Sequence, residues 1–317
     1  MERILSEVKK HQHENLDLSG FIKNHMRMVD IQDIRIHNGC IINVTNFKFQ
    51  IREAEMLKNA LMEFHFLTFL GLSNNQLGPQ EFEIIAQALS TNTFLVHLDV
   101  SDNLLGDQGA EALADVLKVN TTLQHINLYA TMIGVCGVKA IASSLMINTS
   151  LKNLDIDSNH IGDDGTKALA LALETNSSLE GLDVSHNQIG PRGCEALAKS
   201  LVSNVTLKRL FLSSNHIGRL GLQTFKTHLE FNFSLLEIDI RCNMNNDDFG
   251  DEYPLLIYIH ESFSTDLVLE SIMKRNKEYE THSLRMFLSL GFAFHNLFDF
   301  EILFLKIIRV VFVKKNQ

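Results

Sequence analysis

The stretch LKNLDIDSNHIGDDGTKALALALETN, residues 151–176, changes its hydrophobic period halfway along. Leu154 and Ile156 are separated by one polar residue, the period-2 pattern of a short strand that points two side chains inward. From Gly162 onward the spacing becomes helical, with Ala168, Leu169, Ala172 and Leu173 predicted on one face. Asn159 falls between the two halves. Its side-chain amide suits a turn in which it bonds backbone groups that a strand ending inside the core would leave unpaired.

The same unit recurs along the chain. Leu67, Leu70, Leu72, Asn75 and Leu77 are followed 28 residues later by Leu95, Leu98, Val100, Asn103 and Leu105, and then by Leu123, Ile126, Leu128, Thr131 and Ile133. Further copies run from Leu151 to Ile161, Leu179 to Ile189, Leu207 to Ile217 and Leu235 to Asn245 without a slip. The turn position holds Asn75, Asn103, Asn159, Asn187, Asn215 and Asn243, with Thr131 as the one substitute. Leaving a buried backbone group without such a partner costs about 1–3 kcal/mol, which is reason enough for the ladder. The helical positions repeat as Ala112, Leu113, Val116 and Leu117, and as Ala196, Leu197, Ser200 and Leu201. Small alanines let each helix lie close to the sheet. Gly106, Gly109, Gly162, Gly165, Gly190 and Gly193 mark the turn before each helix, where unusual dihedrals are expected.

These residues resemble the ribonuclease-inhibitor class of leucine-rich repeats, with its consensus LxxLxLxxNxIGxxGAxxLAxAL, from Leu67 to about Asn245. The resemblance extends to the repeat domains of innate-immune receptors and of bacterial host-directed effectors. It implies an α/β solenoid, a horseshoe with parallel strands on the concave face, helices on the convex face and helical caps at both ends. The expected organisation is a cap over residues 1–30, an array over 31–250 and a mainly helical cap or tail over 251–317. Ile31, Ile34, Ile36 and Ile41 suggest a degenerate first repeat over 31–66, with Gly39 in place of the Asn and a 36-residue step to Leu67. Pro254 falls where a convex helix should run and is expected to end the array.

Bulk properties narrow the function. The 317 residues are 45% hydrophobic and 21% charged, which describes a folded chain. A net charge of −10 repels phosphate backbones and disfavours nucleic acid. Cys40, Cys136, Cys194 and Cys242 form neither a CxxC nor a cluster, so reduced thiols are expected. The start of the chain has no uninterrupted apolar stretch, which leads to the expectation of a cytoplasmic location, a host cytosol in the case of an effector. There is no GxxxxGK[ST], HExxH or GxSxG, hence no positive reason to expect an enzyme or a cofactor.

Alternation along each strand nominates the concave surface as the binding site for a protein partner. It presents Phe69, His97, Asp99, His125, Asn127, Tyr129, Asn153, Asp155, Asp157, Asp183, Arg209, Phe211, Glu237, Asp239 and Arg241. Exposed Phe69, Tyr129 and Phe211 with Arg209 and Arg241 are residue types favoured at interfaces, and the repeat does not demand them. The row Asp99, Asn127, Asp155, Asp183, Asp239 reads either as an acidic stripe or as ordinary strand edge. His97 and His125 stack one repeat apart, but no further ligand completes a metal site. The sequons at Asn120, Asn148, Asn176, Asn204 and Asn232 are themselves 28 apart and mark a polar turn of the repeat rather than glycosylation.

The segment 284–313 is apolar on nearly all sides, yet carries Asp299 and Glu301 mid-way, each costing roughly 2.5–3.5 kcal/mol at the centre of a membrane helix. A cap on the array and a peripheral contact with a membrane or partner helix both fit it. The expected function is non-enzymatic protein binding by a monomer. Similarity of the repeats to those of Ran GTPase-activating proteins makes regulation of a small GTPase the alternative, with a membrane-associated adaptor as another.

Overall fold

A computed structural model describes residues 40–243, apart from residues 64, 66, 230, 231 and 233. The expected N-terminal cap, Pro254 and the 251–317 region with its apolar segment lie outside the described residues. Within them, β1 (Cys40–Asn43), β2 (Leu67–Gly71), β3 (His97–Asp99), β4 (His125–Asn127), β5 (Asn153–Asp155), β6 (Gly181–Asp183), β7 (Arg209–Phe211) and β8 (Glu237–Asp239) form one parallel sheet in chain order. Between consecutive strands lie α1 (Ile51–Glu63), α2 (Pro79–Leu89), α3 (Gly106–Val119), α4 (Val135–Leu145), α5 (Gly162–Leu173), α6 (Pro191–Ser203) and α7 (Gly218–Leu229). This is the expected α/β leucine-rich-repeat solenoid. From β2 onward every strand residue faces its counterpart 28 residues away, as Leu98 faces Ile126 and Leu182 faces Leu210.

The first repeat departs from its expected frame. Ile42 pairs with Leu70 and Asn43 with Gly71, so the 28-residue register already holds there. Val44 and Phe49 are buried at the positions of Leu72 and Leu77. Phe47 N–H donates to Asn75 Oδ1 at 2.7 Å, the bond that Asn75 N–H makes to Asn103. The isoleucines at 31, 34 and 36 carry the repeat spacing, but the segment INVTNF, residues 42–47, supplies the end of this strand and the turn after it. The step from β1 to β2 is 28 residues.

Two ladders of buried amides flank the strands. In the first, Asn103 Oδ1 accepts the N–H groups of Asn75 and Leu77 at 3.0 and 2.9 Å. Its Nδ2 donates back to Leu72, Val100 and Ser101 carbonyls. Asn159, Asn187, Asn215 and Asn243 repeat the arrangement. Thr131 has one short bond to offer, its hydroxyl donating to Leu128 O at 2.7 Å.

The second ladder is the row of sequons. Asn120, Asn148, Asn176 and Asn204 are buried. The Asn148 amide donates to Leu117 and Asn120 carbonyls of the previous repeat and accepts from Ser150 and Leu151 N–H groups. The Ser or Thr two residues on adds a bond to the same preceding carbonyl, as Ser178 does to Asn148 O. N-x-[ST] here is a staple between repeats, as the spacing implied.

Helix packing differs in detail from expectation. Ala112, Ala168 and Ala196 are only half-buried, whereas Ala114, Ala170 and Ala198 are buried with Leu113, Leu169 and Leu197. In each of these three helices the buried alanine of the pair is the one two residues further along. The turns also alternate. Gly106, Gly162 and Gly218 have φ near +60°, while in the intervening repeats Gln76, Met132 and Gln188 take the left-handed conformation instead. There the glycine before the helix is extended, as at Gly134 and Gly190. Those two helices lack a cap of their own and borrow one. Asp107 Oδ1 accepts Gly134 and Gly137 N–H at 2.7 and 2.8 Å, and Asp163 does the same for Gly190 and Gly193. A carboxylate at a helix N-terminus also favours the helix dipole. The structural period is thus two repeats.

Asn159→Ala is expected to destabilise the fold by roughly 3 kcal/mol, because it strands buried N–H groups of two residues in the preceding repeat. Thr131→Asn should raise stability by about 1 kcal/mol, since an amide there reaches Asn103 and Leu105 as Asn103 reaches Asn75 and Leu77. Urea unfolding of both variants measures the pair.

Candidate functional site

The leucines of each strand point at the helices, which leaves the intervening side chains on the outer face of the sheet. Phe69, His97, Asp99, His125, Asp155, Asp183, Arg209 and Phe211 line one groove of about 310 Å³ there, together with Asn127, Asn153 and Gly181. Ten of the fifteen residues nominated from sequence, Asn127 and Asn153 among them, are therefore brought together. Tyr129 and Arg241 are not among the groove residues. Both sit past the strand ends, Tyr129 at 38% exposure and Arg241 clasping Asp239 through Nε at 2.8 Å and an NH2 at 2.6 Å. Phe69 and Phe211, expected to be exposed, are half-buried, and the Phe69 ring packs beside His97 of the next strand.

One row across the groove is continuous from β2 to β7. Phe69 meets His97 at a ring separation of 6.0 Å, and His97 stacks on His125 at 4.1 Å with planes 5° apart. His125 Nδ1 lies 2.7 Å from Asn153 Nδ2. Arg209 donates to Asn153 Oδ1 at 2.6 Å, across the whole of β6. A guanidinium can only donate, so the amide oxygen must face Arg209 and the amide nitrogen must face His125. His125 is then the acceptor, a neutral ring with its proton on Nε2. Burial, and then Arg209, hold its pKa below the ordinary value of 6.5; Glu180 opposes them. Burial, and then His125, lower that of His97.

Gly181 makes the Arg209–Asn153 bond accessible. A Cβ there would meet Arg209 Nε at 3.4 Å and collide with Asn153 Oδ1. Sequence reasoning passed over this glycine. The signal was available: it is the one position in the row between Phe69 and Glu237 that has no side chain.

The second row is the acidic one. Asp99, Asp155 and Asp183 each turn Oδ1 onto the N–H two residues on, at 3.0, 2.9 and 2.9 Å. Asn127 does the same for Tyr129 at 2.9 Å. Every member, Asp239 included, thus caps its strand end with one side-chain oxygen. Burial, partly offset by the Asp157 N–H and reinforced by Asp183, Asp157 and Asp99, pushes Asp155 up to about 6. Burial likewise raises Asp183. Asp239 goes the other way, held down by Arg241.

A family model of the leucine-rich repeat matches residues 91–114, 148–170, 175–198 and 203–226, so these coils are leucine-rich repeats by sequence as well as by structure. No curated protein matches the chain. Among solved structures, actin-binding site 2 of leiomodin-1 is similar at 20% identity, over 47% of this chain and 79% of its own, with a TM-score of 0.33. The C-terminal domain of tropomodulin from Caenorhabditis elegans is similar at 13% identity, over 57% and 93% respectively, with a TM-score of 0.36. Among the described residues no helix is long and apolar enough to cross a membrane, and no cluster of three or more metal-ligating side chains occurs.

Asp155 supplies a pH test. A carboxylate whose folded pKa is raised favours the fold below its unfolded pKa and loses that contribution as pH rises through the folded one. Asp155→Asn is therefore expected to stabilise the protein at pH 7.5 by on the order of 1 kcal/mol after solvent screening. The gain should shrink below pH 6 and vanish beneath the ordinary value of 3.8. Urea midpoints across that range measure it.

Proposed function

We propose that this chain is a non-enzymatic recognition module that holds a protein partner in the groove on the outer face of its sheet. The observation that carries the reading is the content of the groove. Phe69, the His97–His125 stack, Arg209 and Phe211 occupy positions where the repeat needs no particular residue, and they converge on one concavity. Aromatic and arginine side chains are the ones that concentrate binding energy at protein interfaces. A rigid parallel sheet holds them without ordering cost.

The proposal extends to setting. The chain acts as a monomer of ribonuclease-inhibitor type in a cytosol, which is a host cytosol if it is a bacterial effector. Cys136, Cys194 and Cys242 are unpaired thiols, which fits a reducing compartment.

Immobilised protein, an Arg209→Glu/Phe211→Ala variant and a helix-side control, Lys139→Glu, would be compared for retention of proteins from cytosol. Proteins held by the parent chain and the control should be lost at least about tenfold by the groove variant, given that interface anchors of these types are worth 2 kcal/mol or more. Equal retention by all three would place the binding surface elsewhere.

A further inference from the structure

The groove's charges are unbalanced in a way that specifies its occupant. Among the described residues no Lys or Arg lies within ion-pair distance of Asp99, Asp155 or Asp183, whereas Asp239 in the same row is matched by Arg241. The opposite row does not compensate. His125 is neutral, and Arg209 is drawn to Asn153. Nor does the fold require the negative charge, because Asn127 makes the same strand-end cap with an amide. Burial and mutual repulsion oppose ionisation at Asp155 and Asp183. Three carboxylates are thus kept where amides would hold the structure equally well.

Spacing narrows the partner further. Neighbouring strands lie ~4.8 Å apart, so Asp99 to Asp155 spans ~10 Å and Asp155 to Asp183 ~5 Å. On a helix laid across the strands, residues seven apart are ~10.5 Å apart along the axis and residues four apart ~6 Å. An extended segment repeats its face every ~6.7 Å and misses the longer step. Phe69 on β2 and Phe211 on β7 close the groove at its two ends, five strand steps or ~24 Å apart, about sixteen helical residues.

We propose that the groove takes an α-helix of the partner that sets a stripe of Lys or Arg, spaced seven and then four residues, over Asp99, Asp155 and Asp183, with apolar side chains against Phe69 and Phe211. This rests on the groove being the recognition site. Occupancy neutralises the row and fills both aromatic ends.

The probe is a labelled helical peptide of about eighteen residues with Lys at that spacing and Leu at both ends, measured by fluorescence anisotropy at pH 7.5. Three peptides serve as controls: Gln for each Lys, Glu for each Lys, and the same Lys distributed around the helix. The Lys-stripe peptide should bind at least about tenfold more tightly than all three. Asp155→Asn/Asp183→Asn should remove that advantage without lowering the melting temperature. Binding should also weaken from pH 7.5 to 5.5. Over that range Asp155, facing Asp99, Asp157 and Asp183, takes up a proton as the pH passes about 6. Equal binding of the Gln or scattered peptide, preference for Glu, or an unchanged Asn double variant would overturn the proposal. Should the peptide fail while the Arg209→Glu/Phe211→Ala variant still loses cytosolic partners, the groove stands as the site and the basic helix does not. Failure of both experiments removes both readings.

Discussion

A buried side-chain amide bonded to the backbone of two successive coils is the constraint on which this structure depends. Six of the eight strands are three residues long, too short for inter-strand bonds to carry the sheet by themselves. The asparagines at either side of each strand supply what is missing. Asn103 satisfies Asn75 and Leu77, and Asn120 donates to the carbonyls of Leu89 and Asn92. A single inserted residue would displace both amides from their partners, which is why the register holds at 28 from Ile41 in β1 to β8.

That constraint leaves the outer face of the sheet free. Inward positions are committed to leucine and its equivalents, and the flanking positions to asparagine. The third and fifth positions of each coil answer only to their neighbours across the sheet. The first of these rows has become a chain of contacts, ring on ring and then amide to guanidinium. The second has become a line of caps, and at two of them, Asp155 and Asp183, burial disfavours the charge. A position that sacrifices stability without need is a signature of function rather than of folding.

The array was legible in the sequence because its period is rigid. Asn75 through Asn243 announce the turns, and alternation about Leu70, Leu98 and their successors identifies the outward residues. Other features left no trace in the pattern. The first repeat was misframed because Ile31, Ile34 and Ile36 carry the right hydrophobic spacing, whereas Phe47 conceals the turn position where Asn is expected. The two-repeat alternation depends on left-handed Gln76, Met132 and Gln188, residue types with no preference for that conformation. The Arg209–Asn153 bond reaches past an intervening strand, and only the missing side chain at Gly181 hints at it. The depth of Phe69 depends on His97, 28 residues away, so its exposure could not be read from its own strand.

If amide ladders and alternating caps hold the array, two whole coils can be excised. Removing residues 120–175 joins Val119 to Asn176, puts that amide in the place of Asn120, and brings Gly190 within reach of Asp107 as Gly134 was. Urea unfolding of this 56-residue excision, beside one shorter by a single residue, tests the account most directly. A single cooperative transition for the in-register chain and none for its neighbour is the predicted result. Two chains that unfold alike would contradict it.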